Sequence, residues 1–597
     1  MWRAVIGVLM FAYCLPAAYA TLWPDTVRDL AASLSLARGE AIPLVGPGPI
    51  NYGPYAGPAW IWLQAPPLVF FPSLTATSIY VAIVASLKFP ALFDLGRRLA
   101  GSRLGICMAV AAAYPSFAVY QWLMFFHPNW VEVLVTATLI LFLVADQRRS
   151  LPMLYGAVLM LGLAVQIHTT TLFYFPLAAL VLYRIGVRGT RIVGHVIAMA
   201  LLVLLWFAPV FFAPPADRGT MEKATERISG DMSRFSPQVV FDAMKTAYFD
   251  YPMAIWETYG KAYVPGWVWR AGLGVVGFAI LAGMVVRLLR RDGRPMFLTA
   301  VALLAAAWAA GVAVRSYTSF YLVYFLLPLS ALVMGLSLES TMSARWKGLR
   351  AAGGAAISLL VLSLVVAAYG ARGVGRSGLI DSRLLAMGDL AHPVDGSVRA
   401  TYVTVAARDE LARQACTMAD STIALHGDLA AAMALSMGLD YRIHCPGTTD
   451  RFVIFGTAPG LHLAAIPEVA ATSLGIAQGK PAFGLRLLTT VRPIYPHESH
   501  GFEKRFHYFE QLLDRKALQQ VQVEFDALPH ELVAIYRHKP YDSRWTGFSV
   551  TKDASAAAPA FATRDSWIYR ADDSGGHWTV QFQTDAPQWV EVIAFPP

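Results

Sequence analysis

The sequence is short of charged residues. They make up 15% of its 597 residues, whereas hydrophobic residues make up 56%. Soluble globular chains usually carry about 25% charged residues. The deficit is concentrated before residue 371, where apolar runs follow one another, and the composition after that point is ordinary. The low charge argues against a protein that is soluble throughout. It predicts an α-helical polytopic membrane domain over residues 1–371, followed by a soluble domain over residues 372–597.

Cysteine is scarce too, with four in the chain. Cys14 and Cys107 lie in apolar runs, where packing is their simplest role. Cys416 and Cys445 fall in the soluble domain, where they either pair as a disulfide or stay reduced. Because no two cysteines are spaced as Cys-x-x-Cys, a zinc site of that kind is not expected.

Several other motifs are absent. The sequence has no G-x-x-x-x-G-K-[ST] loop and no H-E-x-x-H pair, so ATP hydrolysis and zinc chemistry are not expected. We expect no cofactor, and nothing in the sequence supports a divalent metal. The net charge of +9 comes from Arg and Lys in short loops between apolar runs. Since no basic patch coincides with a nucleic-acid-binding module, nucleic acid is not an expected partner.

What the sequence has in abundance is apolar segments of a length that crosses a bilayer. The first, residues 4–20, ends in Ala18-Tyr19-Ala20, so it is either an uncleaved helix or a cleaved signal peptide. The many segments that follow favour the uncleaved helix. Segment 59–71 is shorter and contains Pro66 and Pro67, and we predict a helix at the membrane interface there. The eleven predicted spans are 4–20, 76–95, 104–124, 129–145, 151–167, 169–183, 193–213, 269–288, 296–314, 318–338 and 352–371.

The positions of the basic residues predict the topology of these spans. If the N-terminus is cytoplasmic, nearly every short basic loop lies on the cytoplasmic side, as the positive-inside rule requires. The opposite side then receives a first loop (21–75), a long loop (214–268) and the C-terminal domain. We therefore predict a multi-pass protein of the inner membrane, with its C-terminal domain in the periplasm. Residues 221–251 of the long loop have the pattern of amphipathic helices near lipid headgroups.

The C-terminal domain is predicted to be mixed α/β at first and β-rich from about residue 519. In the late segment 577–583, Trp578, Val580 and Phe582 alternate with polar residues, as on a half-buried strand. The predicted strands cover 401–407, 421–425, 451–455, 521–525, 531–538, 577–583 and 588–595, and the predicted helices cover 408–419 and 428–437.

The first predicted loop contains the strongest candidate for chemistry. Asp25 and Asp29 lie one helical turn apart, with Arg28 between them, directly after the first span. Since a proline precedes Asp25, a helix can begin there, and Asp25 is either a capping residue or a catalytic carboxylate. Tyr52 and Tyr55 belong to the Gly-, Pro- and aromatic-rich part of this loop, which we expect to hold the substrates.

The same predicted membrane face carries further polar residues at span ends. His127 and Asn129 flank a proline in a motif that is either only a turn or part of a binding site. His168 ends a span, where it is either an interfacial side chain or a ligand-binding residue. Arg315 runs against the positive-inside trend, which favours binding of an anionic lipid or a phosphate group. Their placement on the face that also holds Asp25 favours a functional role.

Taken together, these segments resemble the GT-C superfamily of polytopic glycosyltransferases. The resemblance is to bacterial members related to the protein O-mannosyltransferases (family 39) and to the lipid A aminoarabinose transferases. It departs from that pattern at Thr26, where many relatives have Glu, and at Asn129, near which some relatives have a second acid. The matching segments are Asp25–Asp29, Gly39, Pro43–Leu44, Gly46–Pro47, Gly57–Trp60, Leu95–Gly101, His127–Asn129, Gln166–His168, and Arg315 with Tyr321, Tyr324 and Pro328.

The resemblance implies transfer of a monosaccharide from a polyprenyl-phosphate donor to an acceptor hydroxyl outside the cytoplasm, with inversion at the sugar carbon. The acceptor would be a lipid, a polysaccharide or a protein of the cell envelope. It also implies that Asp25 takes the acceptor proton, and that Arg315, helped by His168, stabilises the departing phosphate. The further substrate-binding residues are Arg28, Asp29, Tyr52, Tyr55, His127, Asn129 and Tyr321.

Two other functions fit the same composition. A polytopic transporter or flippase with an extracytoplasmic sensor domain would also be apolar, but transporters usually show internal repeats, and none is evident here. A lipid-linked polysaccharide polymerase or ligase would be compatible with the long loop 214–268. The early loop with Asp25 favours the GT-C-like glycosyltransferase.

Overall fold

The computed structural model describes most of the N-terminal two thirds of the chain and shorter segments after it. The chain divides into two compact units. The first consists of residues 1–21, 32–400 and 404–406, and the second of residues 22–31, 401–403 and 407–597. The predicted boundaries at residues 371 and 372 stay predictions. The described residues are 2–22, 24–46, 57–118, 125–212, 236–290, 293–313, 322–376, 379–381, 401–406, 409, 424–425, 454–455, 486–491, 519–527, 529, 532–538, 545–559, 561–562, 566–584 and 589–595.

The part of the chain before residue 377 is mostly helical. Its α-helices are α1 (Trp2–Cys14), α2 (Pro24–Ala37), α3 (Ala59–Phe70), α4 (Leu74–Ser86), α5 (Lys88–Ala100), α6 (Ser102–Ala111), α7 (Pro115–Ala118), α8 (Val131–Arg148), α9 (Leu151–Ile167), α10 (Phe175–Ile185), α11 (Thr190–Leu205), α12 (Ala208–Phe212), α13 (Pro237–Lys245), α14 (Tyr251–Ile255), α15 (Gly266–Leu289), α16 (Arg294–Ala313), α17 (Leu322–Met342) and α18 (Lys347–Gly375). Shorter 3-10 turns cover Ala17–Tyr19, His127–Trp130 and Thr169–Tyr174.

Among the described residues, seven helical segments are long and apolar enough to cross a membrane: Trp2–Tyr19, Leu74–Ala100, His127–Arg148, Gly266–Leu289, Arg294–Gly311, Tyr324–Met342 and Lys347–Gly375. Four shorter apolar segments fall on the remaining predicted spans: Ser102–Ala111, Leu151–Ile167, Thr169–Ile185 and Thr190–Leu205. The predicted helical, polytopic character is confirmed. The count of eleven spans stays a prediction, because these four segments are shorter than a typical span.

Two predicted spans are interrupted in the structure. The predicted span 104–124 contains α6, which ends at Ala111, and the span 193–213 contains α11, which ends at Leu205. In each case a proline, Pro115 or Pro209, lies four residues after the end of the helix. Because proline has no backbone N–H, it cannot donate to the carbonyl four residues earlier, and the helix stops there.

Glycines allow close helix crossings in the first unit. A Cβ atom at Gly96 of α5 would lie 2.8 Å from the Cα atom of Gly105 in α6. A Cβ atom at Gly283 of α15 would lie 1.9 Å from the carbonyl oxygen of Ser337 in α17. Helices in a membrane associate without a hydrophobic driving force, so they depend on van der Waals contact. Small residues at the crossings let the helices approach closely enough to make that contact.

The second half of the long predicted loop is helical, as predicted. Helices α13 and α14 alternate with two π-helical turns, Thr246–Asp250 and Trp256–Gly260. Phe241 and Phe249 are exposed, whereas Tyr251 and Tyr259 are buried, so this segment is amphipathic. Residues 213–235, which hold the first predicted helix of the loop, lie outside the described residues. The short helix predicted at 59–71 is confirmed as α3, with Pro66 and Pro67 inside it.

The described part of the chain after residue 377 consists mainly of strands. They are β1 (Leu379–Asp381), β2 (Thr401–Val403), β3 (Ala424–Leu425), β4 (Ile454–Phe455), β5 (Arg486–Val491), β6 (Gln519–Ala527), β7 (Leu532–His538), β8 (Trp545–Lys552), β9 (Ser555–Ala556), β10 (Phe561–Ala562), β11 (Ser566–Arg570), β12 (Gly576–Thr584) and β13 (Trp589–Phe595). In the second unit they form two antiparallel sheets, one of five strands in the order β10-β11-β7-β13-β5 and one of four in the order β6-β12-β8-β9. A separate short parallel pair joins β3 and β4.

The two sheets share one apolar core. Trp578, Val580 and Phe582 of β12 are buried in it, while Gln581 is half-buried and Gln583 is exposed, so the predicted alternation is confirmed. The core residues are Phe525, Ala527, Val533, Ile535, Val550, Tyr569, Ala571, Trp578, Val580 and Phe582. The predicted helix 428–437 and the cysteines Cys416 and Cys445 lie outside the described residues, as does nearly all of 408–419.

Candidate functional site

Helix α8 has different polar partners at its two ends. Near its C-terminus, Asp146 pairs with Arg184 at the end of α10 at 2.9 Å, and Gln147 donates to the carbonyl oxygen of Arg98 in α5 at 3.4 Å. The turn His127–Trp130 precedes its N-terminus. The 18 residues of α8 separate the two ends by about 27 Å. Residues of three predicted cytoplasmic loops therefore meet at one end, and the histidine turn lies at the other. The side of the membrane stays a prediction.

The turn before α8 is held by both its backbone and its aromatic ring. Pro128 occupies the first turn, where its missing N–H costs nothing, and the backbone N–H of Asn129 donates to Phe126 at 3.0 Å. The indole of Trp130 donates to the carbonyl oxygen of Val81 in α4 at 3.1 Å. Asn129 is buried, although its side chain is polar, and His127 is half-buried. A buried amide at the end of a span is a feature of binding sites as well as of turns.

His168 directly follows α9 and is fixed by its neighbours. Its backbone N–H donates to Ala164 at 2.8 Å, and the hydroxyl of Thr171 donates to its carbonyl at 2.9 Å. Its Nδ1 atom lies 2.7 Å from the hydroxyl of Thr170. The imidazole of His168 stacks on that of His127, with ring centroids 6.0 Å apart and 17° between the planes. The structure thus brings together two of the histidines that the sequence singles out.

Helix α3 supplies the third side of this group. The ring of Trp60 meets those of His127 and Trp130 edge to face, with centroids 6.5 and 5.1 Å apart. The backbone N–H of Ala59 donates to Oε1 of Gln166 at 3.0 Å, which ties the start of α3 to the end of α9. We call the group of Trp60, His127, Asn129, Gln166 and His168 the polar layer.

A further contact joins α2 to α3. The hydroxyl of Ser33 lies 3.1 Å from the carbonyl oxygen of Ile61 and 3.2 Å from the amide of Gln64. All three residues are buried. Helix α2 is the helix that begins at the proline before Asp25, so its C-terminal half is anchored on α3.

The structure places some of the other predicted site residues. Asp25 and Arg28 lie in α2, which begins at Pro24 as predicted, and Asp29, in the same helix, is almost completely buried. The side chains of Asp25 and Arg28 are not among the described ones. Tyr52, Tyr55, Arg315 and Tyr321 lie outside the described residues. The catalytic role of Asp25 and the binding roles of the others stay predictions.

The sequence interpretation missed a buried ion pair below the histidine turn. Lys88 begins α5, Glu132 lies in the first turn of α8, and their Nζ and Oε2 atoms are 2.6 Å apart. Both side chains are completely buried. Lys88 also donates to the carbonyl oxygen of Phe117 at 2.8 Å and lies over the ring of Tyr13 at 4.5 Å. The signal was present, because a charged residue inside a predicted span needs a partner.

Trp60 and Gln166 were also missed as site residues. Each belongs to a segment that carries the resemblance, Gly57–Trp60 or Gln166–His168, but the sequence assigned no role to either side chain. Both polar side chains are buried, and burial cannot be predicted from the sequence pattern alone. Among the described residues, no group of three or more His, Cys, Asp or Glu could hold a metal ion. The expectation that the protein needs no cofactor stays a prediction.

No protein-family model matches this sequence, and no curated protein matches it. Among solved structures, the chain is similar to ArnT from Cupriavidus metallidurans in the apo state, with 12% identity and a TM-score of 0.46. That similarity covers 82% of this chain and 92% of ArnT.

Two other similar structures are more distant. The oligosaccharyltransferase of Archaeoglobus fulgidus has 14% identity and a TM-score of 0.35, over 62% of this chain and 55% of that one. The arabinosyltransferase EmbB from Mycobacterium smegmatis has 12% identity and a TM-score of 0.37, over 100% of this chain and 65% of EmbB. All three are glycosyltransferases of the GT-C superfamily, which the sequence motifs resemble. With TM-scores below 0.5, these similarities assign no residue role and no substrate to this chain.

Proposed function

We propose that this chain is a membrane glycosyltransferase that moves a monosaccharide from a polyprenyl-phosphate donor to an acceptor hydroxyl on the extracytoplasmic side. The observation that carries the proposal is the polar layer, in which two stacked imidazoles and two buried side-chain amides meet at the ends of apolar helices. Buried polar side chains at the ends of apolar helices are costly unless they are hydrogen-bonded, and in membrane proteins such residues mark the paths of substrates and ions. A lipid-linked sugar donor fits this arrangement, because its polar head can enter the layer while its chain stays among the apolar helices.

The chemistry needs few groups. In the proposed reaction, Asp25 takes the proton of the acceptor hydroxyl, and the acceptor oxygen forms a bond to the sugar C1 atom. The bond between C1 and the phosphate oxygen breaks, and polyprenyl phosphate leaves with the electron pair. A single displacement of this kind inverts C1. Because the leaving group is already a phosphate, no nucleotide is required.

The departing phosphate gains negative charge and needs hydrogen-bond donors. We assign this role to Arg315 and to the imidazole N–H groups of His127 and His168, whose stacking gives two donors from separate helical segments. Asn129, Arg28, Asp29, Tyr52, Tyr55 and Tyr321 complete the proposed substrate contacts.

The first test is release of polyprenyl phosphate from a polyprenyl-phosphate sugar by the full-length protein in lipid nanodiscs. We expect wild type to release it in the presence of acceptor lipids or glycans. We expect Asp25→Asn to lower the rate by about 100-fold or more, because it removes a general base. Protein level and thermal stability should not change. The matched control is Asp94→Asn at the other end of the helices, where Asp94 pairs with Arg97 and Arg98, and it should keep its activity.

Two outcomes would contradict the proposal. Near-normal release by Asp25→Asn would end the assignment of Asp25 as the base. Movement of intact sugar-lipid across the bilayer by wild type, without release of polyprenyl phosphate, would instead favour the flippase.

We also propose an inner-membrane location with the C-terminal unit in the periplasm. The grouping of Arg98, Asp146 and Arg184 at one end of the helices supports this orientation, because these residues belong to loops that the positive-inside rule makes cytoplasmic. Protease added to spheroplasts should remove the C-terminal unit. Protection of that unit until the membrane is opened would contradict the orientation.

A further inference from the structure

We propose that Trp60 and Gln166 bind hydroxyl groups of the sugar on the lipid-linked donor and so determine which sugar is accepted. The inference rests on the proposed function and names its specificity-determining residues. It starts from two buried hydrogen-bond donors, Nε1 of Trp60 and Nε2 of Gln166, that have no partner among the residues that the structure describes.

The orientation of the Gln166 amide follows from its neighbour. A backbone N–H can only donate, so the atom of Gln166 that faces the N–H of Ala59 at 3.0 Å is the oxygen Oε1. The nitrogen Nε2, with two hydrogens, must therefore lie on the other side of the amide. The side chain is 1% exposed, so solvent does not reach these hydrogens freely. Gly57 packs directly on the amide, because a Cβ atom there would lie 1.8 Å from Nε2.

The indole of Trp60 is fixed equally well. Its side chain is completely buried, and its ring is held edge to face by His127 and Trp130. Gln64, one turn later in α3, is also buried, and its amide contacts the hydroxyl of Ser33 through one atom while the other atom has no partner among the described residues. Its orientation is open, however, since the Ser33 hydroxyl next to it both donates and accepts.

The chemistry of these donors selects the ligand. Buried N–H groups without partners are rare in folded proteins and cost stability, so these two, which have none among the described residues, are suited to oxygen atoms of a bound ligand. Both groups are neutral. Neutral donors match neutral hydroxyl oxygens, whereas phosphate is usually bound by charged or charge-assisted donors. The sugar hydroxyls of the donor fit this description better than its phosphate.

The position of the donors agrees with this assignment. Trp60 contacts the ring of His127, which stacks on His168, and Gln166 lies two residues before His168. A sugar joined to a phosphate near the imidazoles would thus be next to both donors. A site that forms hydrogen bonds to a substrate hydroxyl rejects analogues that lack this hydroxyl, by about 10⁴-fold in strong cases.

The experiment measures binding of full-length protein in nanodiscs to undecaprenyl phosphate, either bare or carrying mannose, glucose, galactose or arabinose. Trp60→Phe removes the indole N–H and keeps an aromatic ring at this position of α3. Gln166→Met removes the amide donor without introducing a charge, at the cost of the hydrogen bond from the N–H of Ala59. We expect wild type to bind one of the sugar-bearing lipids more tightly than the bare lipid. We expect each variant to lose about tenfold or more of that preference while its affinity for the bare lipid stays the same.

The matched control is Trp308→Phe. Trp308 is buried to the same degree, but it lies in α16 with its ring against that of Tyr248. This control should keep the sugar preference. Thermal unfolding without lipid separates binding from folding, since Trp60→Phe and Trp308→Phe each leave a cavity at a buried site and should lower the midpoint by similar amounts.

The outcomes distinguish this inference from the proposed function. If wild type releases polyprenyl phosphate but both variants keep its sugar preference, the inference is wrong and the proposed function stands. If the variants lose affinity for the bare and the sugar-bearing lipid equally, the donors contact the phosphate and the sugar assignment is wrong. If wild type neither binds nor cleaves any of the sugar-bearing lipids, both fail together.

Discussion

Gly57 shows how a single residue sets the geometry of the polar layer. The residue has an ordinary backbone conformation, so strain is not the reason for glycine here. The reason is space, because a Cβ atom would lie 1.8 Å from Nε2 and 2.3 Å from Cδ of Gln166. The Gln166 side chain would have to rotate away and would lose its hydrogen bond from Ala59.

We therefore predict that Gly57→Ala lowers the transfer rate strongly and the free energy of unfolding by about 1–3 kcal/mol, because the buried N–H of Ala59 loses its partner. The measurements are release of polyprenyl phosphate and thermal unfolding of the same preparation. Gly156→Ala is the control, since Gly156 lies in the same helix as Gln166 with nothing within 4 Å of its Cβ position. Equal activity of the two variants would show that the Gln166 position does not matter.

Other residues of the polar layer show which site residues a sequence pattern can predict. His127 and His168 were found because a polar residue at the end of an apolar run stands out in the sequence. Trp60 could not be found in that way, since an indole in an aromatic-rich segment is usually a packing residue. Only its complete burial and the lack of a described partner for its N–H distinguish it.

At the scale of elements, the ion pair of Lys88 and Glu132 joins α5 to the first turn of α8, directly below the histidine turn. Breaking a buried pair leaves one charge uncompensated, which costs about 3–5 kcal/mol, whereas replacing both partners by apolar residues is often neutral. We predict that Lys88→Met destabilises the protein by about that amount, and that adding Glu132→Leu restores most of the loss.

Thermal and denaturant-induced unfolding in detergent would measure this cycle. Arg97→Met is the control, because Arg97 pairs with Asp94 on the surface and such pairs contribute about 1 kcal/mol or less. If the double variant loses as much free energy of unfolding as the two single variants together, Lys88 and Glu132 are not coupled.

A second element-scale feature is the exposed face of strands β6 and β12. His577 and Asp526 lie opposite each other in the ladder, and Nδ1 of His577 is 2.8 Å from a carboxylate oxygen of Asp526. This hydrogen bond, with the nearby charges of Asp526, Glu524 and Asp553, raises the pKa of the imidazole above its usual value. A histidine pKa that folding raises stabilises the fold below about pH 6.5, and the contribution is lost as the pH rises through the raised pKa.

We predict that the protection of β6 and β12 against hydrogen exchange, corrected for the intrinsic pH effect, falls as the pH rises from about 6 to 8. His577→Gln should remove this pH dependence and lower the protection mainly at the acidic end. The control, Gln522→Ala on the same face, should keep the dependence because it removes no titrating group. The same pH dependence in His577→Gln as in wild type would show that another group is responsible.

At the scale of the whole molecule, the division into a helical body and a β-rich unit was predictable from composition. Apolar runs before residue 371 and alternating strands after residue 519 have different periods, and each period corresponds to one kind of element. The broken spans at Ala111 and Leu205 were less predictable, because hydropathy measures apolar length and ignores the missing N–H of Pro115 and Pro209.

By itself, the sequence determined that the protein has many apolar helices with basic residues at one set of ends, because both properties are local and depend on residue type alone. Only the tertiary structure decided which polar residues meet. The stacking of His127 on His168 and the burial of Gln166 against Gly57 join segments that are distant in sequence. Burial and hydrogen-bond partners are properties of packed neighbours, so no pattern within one segment could specify them.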